Sequence, residues 1–373
     1  MSAAEGLTVA AGVAVLGAVA WLPPRATRVL GALFGGLVAF AVGRAVWGVT
    51  GGVVAGLALA AVLGRYGPAT VLRRLTFLVP SLLLLVFVTT LLMYHAPGSP
   101  FAGEKVASAQ VEAALRAHFG IPHSAVEFFG IYLRRLLVEG SLGPSVKVQG
   151  RTVEALLAPA LPVSLTLGLL ALMLASAGGL LLGIHAGLKP SSWSDSVSTV
   201  LSALGLSLPS FVIGSVLMVV FSLQLHWFPV AGWGGFRQLV LPSVTLALPY
   251  AAYIARLARG GTIEVMNEDF IRTARAKGLS ETAVVLRHAL KGAFLPVVSF
   301  LGPAAAGIMT GSFVVETLFG IPGMGQWFVR GAINRDYSVV LGTALVYATL
   351  VTAFNLAVDL AYAWLDPRIR SRP

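Results

Sequence analysis

The feature that most constrains the fold of this chain is a series of apolar segments, most of them long enough to cross a bilayer as a helix. Such a span needs roughly 20 predominantly apolar residues. With approximate ends, the segments are 7–22, 29–64, 72–95, 161–188, 198–225, 238–258, 294–316 and 338–364. The runs are continuous rather than alternating, which argues against a membrane β-barrel. The sequence therefore predicts an all-α polytopic membrane protein.

Composition supports this class and limits the others. Of the residues, 57% are hydrophobic and 11% are charged, against about 25% charged in soluble domains. The net charge is +11, and the basic residues lie between apolar segments. The enrichment of Lys and Arg in the cytoplasmic loops of membrane proteins explains this charge better than nucleic-acid binding does. The chain has no cysteine, which excludes disulfides, thiolate metal sites and a cysteine nucleophile.

The orientation of the spans follows from where the cations lie. Lys and Arg are concentrated in 254–293 and at the C-terminus, whereas 226–240 carries one arginine. Because cytoplasmic loops retain Lys and Arg, 259–293 and the C-terminus are predicted to be cytoplasmic. Counting spans backwards then places 96–160 outside.

The external region 96–160 is predicted to be a packed subdomain rather than a bare loop. Apolar residues recur at helical spacing in Gln110–Phe119 and Val126–Val138. Between these two helices, Pro122 begins a stretch that favours a break.

An island of charged residues interrupts the apolar sequence between Glu268 and Leu290. Its order predicts two short helices joined at Gly278, a residue type that suits the left-handed end of a helix, with Ser280 capping the second. The second helix is expected to turn four apolar side chains toward the rest of the chain, namely Val284, Val285, Ala289 and Leu290. In the first helix, small side chains between cations permit close approach by another protein. On composition alone, a generic cytoplasmic loop remains the alternative.

The order of residues in this island resembles a known family. Arg272-Thr-Ala-Arg-Ala-Lys-Gly278, followed by Leu295-Pro296, looks like the EAA loop of ABC-importer permeases, and specifically the dipeptide/oligopeptide/nickel branch. Further motifs match in order, among them Leu161-Pro-Val-Ser-Leu-Thr-Leu167, Leu206-Ser-Leu-Pro-Ser-Phe211, Glu316-Thr-Leu-Phe-Gly-Ile-Pro-Gly-Met-Gly325 and Leu365-Asp-Pro-Arg-Ile-Arg370. The resemblance covers about 71–370. Where the general consensus has Glu-Ala-Ala, this chain has Arg272, Thr273 and Ala274.

The resemblance implies the transmembrane fold of a type I ABC importer with six core spans. It implies an ABC transmembrane domain over 161–365 with a coupling loop at 259–293, preceded by the first core span and external region at 71–160. Residues 1–70 form an additional hydrophobic extension that the usual member lacks. Two spans are favoured there, with three as the alternative.

The resemblance also implies a function. The chain would be the permease subunit of an ATP-driven peptide importer in the bacterial inner membrane, forming half of the translocation path. Its partners would be a second homologous permease, two cytoplasmic ATPases and an extracytoplasmic solute-binding protein. A coupling helix would dock on an ATPase through Asp269, Arg272, Thr273, Ala274, Arg275, Ala276, Lys277 and Gly278. Nickel and sugar chains are alternative solutes.

Catalytic signatures are absent from the sequence. It contains no GxxxxGK[ST] phosphate loop, no HExxH and no GxSxG elbow, so neither an enzyme nor a cofactor or metal site is expected. The alternative is a stand-alone secondary transporter or channel. Such a transporter relies on intramembrane ionisable groups, and the candidates here are Arg44, His185 and Asp359, each expected to have a structural role.

Overall fold

The computed structural model describes residues 68–97, 100–101, 109–119, 121–122 and 124–365. Most of the predicted extension 1–70 and the motif that follows Leu365 lie outside the described residues. The helices are α1 Pro68–His95, α2 Ala109–Phe119, α3 Ala125–Arg134, α4 Val153–Leu188, α5 Trp193–Ser207, α6 Ser210–Leu217, α7 Phe236–Met266, α8 Asp269–Ala276, α9 Glu281–Val284, α10 Leu290–Leu318, α11 Met324–Asn334 and α12 Tyr337–Leu365. Three of them continue into π-helical turns, at Arg135–Glu139, Met218–Gln224 and Val285–Ala289.

The all-α membrane class is confirmed by the described part of the chain. Four helices there are long and apolar enough to cross a membrane, and the pair α5 and α6 adds a fifth if it is counted as one span. The apolar part of α1, Pro80–His95, is a shorter helix of the same character. Each of the six predicted core segments thus coincides with a helix or with this pair. The two predicted external helices are present as α2 and α3.

The segment 198–225, predicted as one span, is broken in the structure. The axes of α5 and α6 meet at an angle of 110°. Pro209 has no N–H to continue the helix and disfavours helical geometry in the residue before it. Leu208 accordingly adopts an extended conformation, with φ −92° and ψ 131°.

The described residues up to Leu161, together with Trp327–Thr349, form one compact unit. Within it α1 packs on α3 through the rings of Phe87 and Phe129, whose centroids are 5.3 Å apart in an edge-to-face arrangement. Asp336 is buried, and its carboxylate accepts hydrogen bonds from the Ser145 hydroxyl and from the backbone N–H of Val339. This carboxylate therefore joins the loop after α3 to the first turn of α12.

Pro162–Gln326, with the described residues from Leu350 onward, form the second unit. In it, α4 and α7 pack backbone against backbone along a row of glycines spaced four residues apart. A Cβ built on Gly179 would lie 2.7 Å from the carbonyl oxygen of Ala251, and one on Gly187 would lie 2.8 Å from that of Arg259. Real Cβ atoms do not approach so closely, so these positions accept only glycine without movement, as in small-residue helix packing in membranes.

An ion pair joins α5 to α7 in the same unit. The Arg259 guanidinium donates two hydrogen bonds to the Asp195 carboxylate, with Nη2 2.8 Å from Oδ2. The backbone N–H of Ser191 donates to the same carboxylate at 2.9 Å. Paired parallel bonds of this kind fix geometry as well as charge. Helix α7 is therefore held by glycine packing on α4 and by the ion pair to α5.

Candidate functional site

Helix α8 follows α7 after two residues and ends at Ala276, two residues before the predicted glycine. Its N-cap residue, Glu268, is extended but makes no side-chain capping hydrogen bond. Gly278 has φ +77°, the left-handed conformation that glycine adopts without steric cost. The Ser280 hydroxyl accepts a hydrogen bond from the backbone N–H of Ala283. The helix–glycine–helix order and the Ser280 cap are therefore confirmed.

A small hydrophobic core of its own holds α8 in place. The buried members are Ile271, Ala274, Val284 and Ala289, and the partly buried residues Val265, Met266 and Leu279 pack against them. These side chains come from α8, from α9 with its π-helical turn, from the last turn of α7 and, for Leu279, from the turn between α8 and α9. Residues 268–291, called the docking segment after the role that the sequence predicts for them, thus form a packed element rather than a loose loop. Val284 and Ala289 are buried and Val285 and Leu290 are partly buried, which confirms the orientation predicted for the second helix. Arg287 and Lys291 are exposed on its other side.

The opposite face of α8 is exposed and polar. Asp269, Arg272, Thr273 and Ala276 recur at spacings of three and four residues, which places them on one side of the helix, and all four are exposed. Small side chains at Thr273 and Ala276 stand beside the Arg272 cation on this face. The arrangement leaves room for the backbone of a partner to approach closely.

Of the eight docking residues predicted from the sequence, seven are exposed and Ala274 is not. The side chain of Ala274 is 4% exposed and belongs to the core of the docking segment. It lies on the same face as Ile271, three residues earlier, so helical geometry turns it away from the face that carries Arg272. Ala274 therefore contributes to the internal packing that holds α8.

Phe270 is the exposed residue of α8 that the sequence reasoning did not select. Its side chain is 49% exposed on a helix of mostly polar composition. In a chain as apolar as this one, a phenylalanine carries no signal of exposure, and only the helix register given by Ile271 and Ala274 reveals it. Aromatic side chains, phenylalanine among them, are enriched in protein–protein interfaces.

An ion pair stiffens the junction between α8 and α9. The Arg275 guanidinium donates to the Glu281 carboxylate, with Nε 2.7 Å from Oε1 and Nη2 3.3 Å from Oε2. This hydrogen bond raises the pKa of Arg275 further above its usual range. The pair spans Gly278 and restricts the angle between the two helices. Arg272 approaches Asp269 at 3.4 Å with both side chains largely exposed, which leaves its charge available to a partner.

An acidic cleft borders the docking segment. It has a volume of about 320 Å³ and lies between the last turns of α7 and the first turns of α10. Glu264 and Glu268 line one side, and Pro296 and Ser299 line the other. The cleft therefore places negative charge next to the cationic face of α8.

Glu316 is a buried carboxylate that the sequence reasoning did not identify as an intramembrane ionisable residue. Its side chain accepts hydrogen bonds from the Ser164 hydroxyl at 2.7 Å and from the backbone N–H of Gly325 at 2.8 Å. Ser164 in turn accepts from the backbone N–H of Met324 at 2.8 Å. Glu316 thus connects α4, the end of α10 and the start of α11. The glycines that follow it in the sequence were the available signal, because Gly323 leaves no room for a Cβ beside this carboxylate.

Of the three intramembrane residues that the sequence singled out, the structure describes the side chain of His185. Arg44 lies outside the described residues, as does the side chain of Asp359. His185 is exposed in the last turn of α4. Within the described residues, no group of three or more His, Asp or Glu side chains is placed to hold a metal ion.

Several helices long and apolar enough to cross a membrane define a multi-pass membrane protein, and α8 is an exposed amphipathic helix packed firmly onto the end of α7. The family model described as "Binding-protein-dependent transport system inner membrane component" matches residues 179–371. The chain belongs to this family. It is 44% identical over 302 residues to the oligopeptide transport system permease protein OppB of Escherichia coli (strain K12), covering 80% of this chain and 98% of that one.

A second curated relative agrees with this assignment. The dipeptide transport system permease protein DppB of Bacillus subtilis (strain 168) is 38% identical over 299 residues, which cover 80% of this chain and 97% of the relative. Among solved structures, a chain from an amino acid ABC transporter crystal structure with histidines matches with a TM-score of 0.45 and 16% identity, covering 56% of this chain and 94% of that chain.

Proposed function

We propose that this chain is the permease subunit of an ATP-driven peptide importer in the bacterial inner membrane, and that α8 is its contact with a cytoplasmic ATPase. The observation that carries the proposal is the construction of α8. One face is anchored in a core of its own, and the other exposes Arg272, Thr273 and Ala276 beside the aromatic ring of Phe270. A helix built in this way transmits force because it does not yield at its base.

The proposed assembly contains a second homologous permease, two ATPases and an extracytoplasmic solute-binding protein. The segment 161–365 serves as the transmembrane domain, 71–160 as the first core span and external region, and 1–70 as an added hydrophobic extension. Peptides are the proposed solute because the relatives in E. coli and B. subtilis are named as oligopeptide and dipeptide permeases. The energy comes from the ATPases, so this subunit itself is not an enzyme.

The contacts of α8 suggest the route by which motion enters the membrane. Val265 and Met266, at the end of α7, pack against the buried face of α8. Helix α7 is in turn packed against the glycines of α4 and paired with α5 through Arg259 and Asp195. A displacement of α8 is therefore passed to three membrane helices, whose two arrangements would be the outward-open and inward-open states.

Co-purification of the ATPases with variants of this chain tests the docking contact. We expect Arg272→Glu and Phe270→Ala each to reduce the ATPase recovered with the tagged permease, because one reverses a charge and the other removes the apolar anchor. Lys189→Glu is the matched control: it makes the same charge reversal at an exposed residue between α4 and α5.

The docking proposal is wrong if both α8 variants retain wild-type amounts of ATPase. It is also wrong if Lys189→Glu reduces recovery as much as Arg272→Glu, since a general charge effect would then explain the loss.

A further inference from the structure

An open apolar groove lies between α4 and the start of α10, separate from the exposed face of α8. Its volume is about 630 Å³. Leu181 and Ile184 line one wall, and Phe294 and Val298 line the other. Nine of its ten lining residues are apolar, and the tenth is Lys291. The groove is therefore a hydrophobic trough with a single cation.

The cation that lines the groove, Lys291, has a second cation, Arg287, one turn before it. Arg287 and Lys291 are both exposed, and they are four residues apart, which places them on the same side of the helix. Neither forms an ion pair with a carboxylate of the described residues. Their charges are thus free to meet a negative group from outside the chain.

The depth of these groups in the membrane follows from helix geometry. Phe294 and Val298 lie three and seven residues beyond Lys291, about 5 and 10 Å further along the helix axis. Since 294–316 is the apolar part of the span, Lys291 stands at the level of the lipid headgroups, while Phe294 and Val298 stand in the hydrocarbon. Basic pockets between membrane helices on the cytoplasmic side are suited to anionic lipid headgroups.

Two other occupants fit less well. A peptide in transit would leave its backbone amides without partners against a lining of Leu, Ile, Phe and Val. A helix of a second subunit packs best where small residues let the backbones meet, as along Gly179 and Gly187 of α4, and the groove has large side chains instead. An acyl chain needs neither hydrogen bonds nor a flat surface.

We propose that this groove binds one anionic phospholipid of the cytoplasmic leaflet, with its phosphate at Lys291 and Arg287 and an acyl chain along Ile184 and Phe294. The bound lipid would cover the base of the docking segment, because Leu286 of the π-helical turn also lines the groove. The proposal depends on the cytoplasmic orientation of 259–293 but not on the docking of an ATPase.

Native mass spectrometry of the full chain, purified in detergent with the subunits that accompany it, provides the test. The probes are dioleoyl phosphatidylglycerol and dioleoyl phosphatidylcholine, which share their acyl chains and differ in net charge. We expect one phosphatidylglycerol to bind several times more tightly than phosphatidylcholine. Lys291→Gln should reduce that preference about fivefold, the contribution of one interfacial cation, while the control Lys189→Gln leaves it unchanged.

A second variant tests the apolar part of the groove. Ala177→Trp places a large ring in the groove and should weaken the binding of both lipids. Equal affinity for the two lipids in the wild-type chain, or an equal effect of Lys291→Gln and Lys189→Gln, would overturn the proposal. So would a crosslink from Leu181→Cys to a second permease in intact membranes, because the groove would then be a subunit interface. Wild-type ATPase recovery with both Arg272→Glu and Phe270→Ala, together with an intact lipid preference, would contradict only the proposed function.

Discussion

Two neighbouring glycines in α4 provide a matched pair for testing how the membrane helices pack. A Cβ at Gly179 would lie 2.7 Å from the carbonyl oxygen of Ala251 and 2.8 Å from the Cβ of Ile254. A Cβ at Gly178 meets nothing within 4 Å. We therefore expect Gly179→Ala to destabilise the protein relative to Gly178→Ala, although both changes replace glycine by alanine inside the same helix.

The size of the difference follows from the contacts. Ordinary contact begins at 3.4 Å, so α4 and α7 must separate by about 0.7 Å at Gly179, and the obstructing atom belongs to the backbone and has no alternative rotamer. Overpacking of this kind costs about 1–3 kcal/mol. The gain in helix propensity, about 1 kcal/mol, is common to both variants and cancels when they are compared. The expected difference in unfolding free energy is therefore about 1–3 kcal/mol.

Reversible unfolding in mixed detergent micelles, followed by tryptophan fluorescence, measures this difference. Gly178→Ala should be as stable as the wild-type protein or slightly more stable. If Gly179→Ala proves as stable as Gly178→Ala, the close packing of α4 on α7 is absent, and the route from α8 into the membrane through these helices fails with it.

Two further predictions concern the buried polar contacts. Replacing Glu316 by Gln keeps one acceptor oxygen and loses the other, so either the Ser164 hydroxyl or the Gly325 N–H loses its partner. The unfolding free energy should therefore fall by about 1.5–3 kcal/mol. Equal stability of the wild-type protein and Glu316→Gln in the same micelle assay would contradict this. Asp195→Asn and Arg259→Gln should each lower the thermal midpoint. The double variant should fall little below the less stable single variant, because each change removes the same ion pair. Strictly additive losses would show that the two side chains act independently.

Much of the helical framework can be predicted from the sequence because the membrane demands it. A bilayer leaves no water for backbone groups, so an apolar run such as 338–364 has few choices besides a helix. The turn in the docking segment can also be predicted, because it depends on neighbouring residues. Gly278 supplies the left-handed residue, and Ser280 caps the next helix. These signals act over a few residues and need no knowledge of distant contacts.

The features that sequence reasoning missed depend on distant contacts or on helix register. Glu316 is buried because Ser164, 152 positions earlier in the chain, donates a hydrogen bond to it. Pro209 indicates a break in the helix, but the angle of the bend depends on how α5 and α6 pack. The burial of Ala274 and exposure of Phe270 follow from which side of α8 meets Val265. The sequence alone does not show this rotation of α8, because Phe270 and Ala274 both stand next to cations or polar residues in the chain.

ATP-dependent uptake into proteoliposomes tests the proposed function most directly. The vesicles would contain this chain with its second permease and ATPases, and the binding protein would be loaded with a labelled oligopeptide. We expect uptake that requires ATP and that Phe270→Ala combined with Arg272→Glu abolishes, while Lys189→Glu leaves it intact. Peptide uptake driven by an ion gradient in vesicles that hold this chain without ATPases would contradict the proposal and identify a stand-alone secondary transporter.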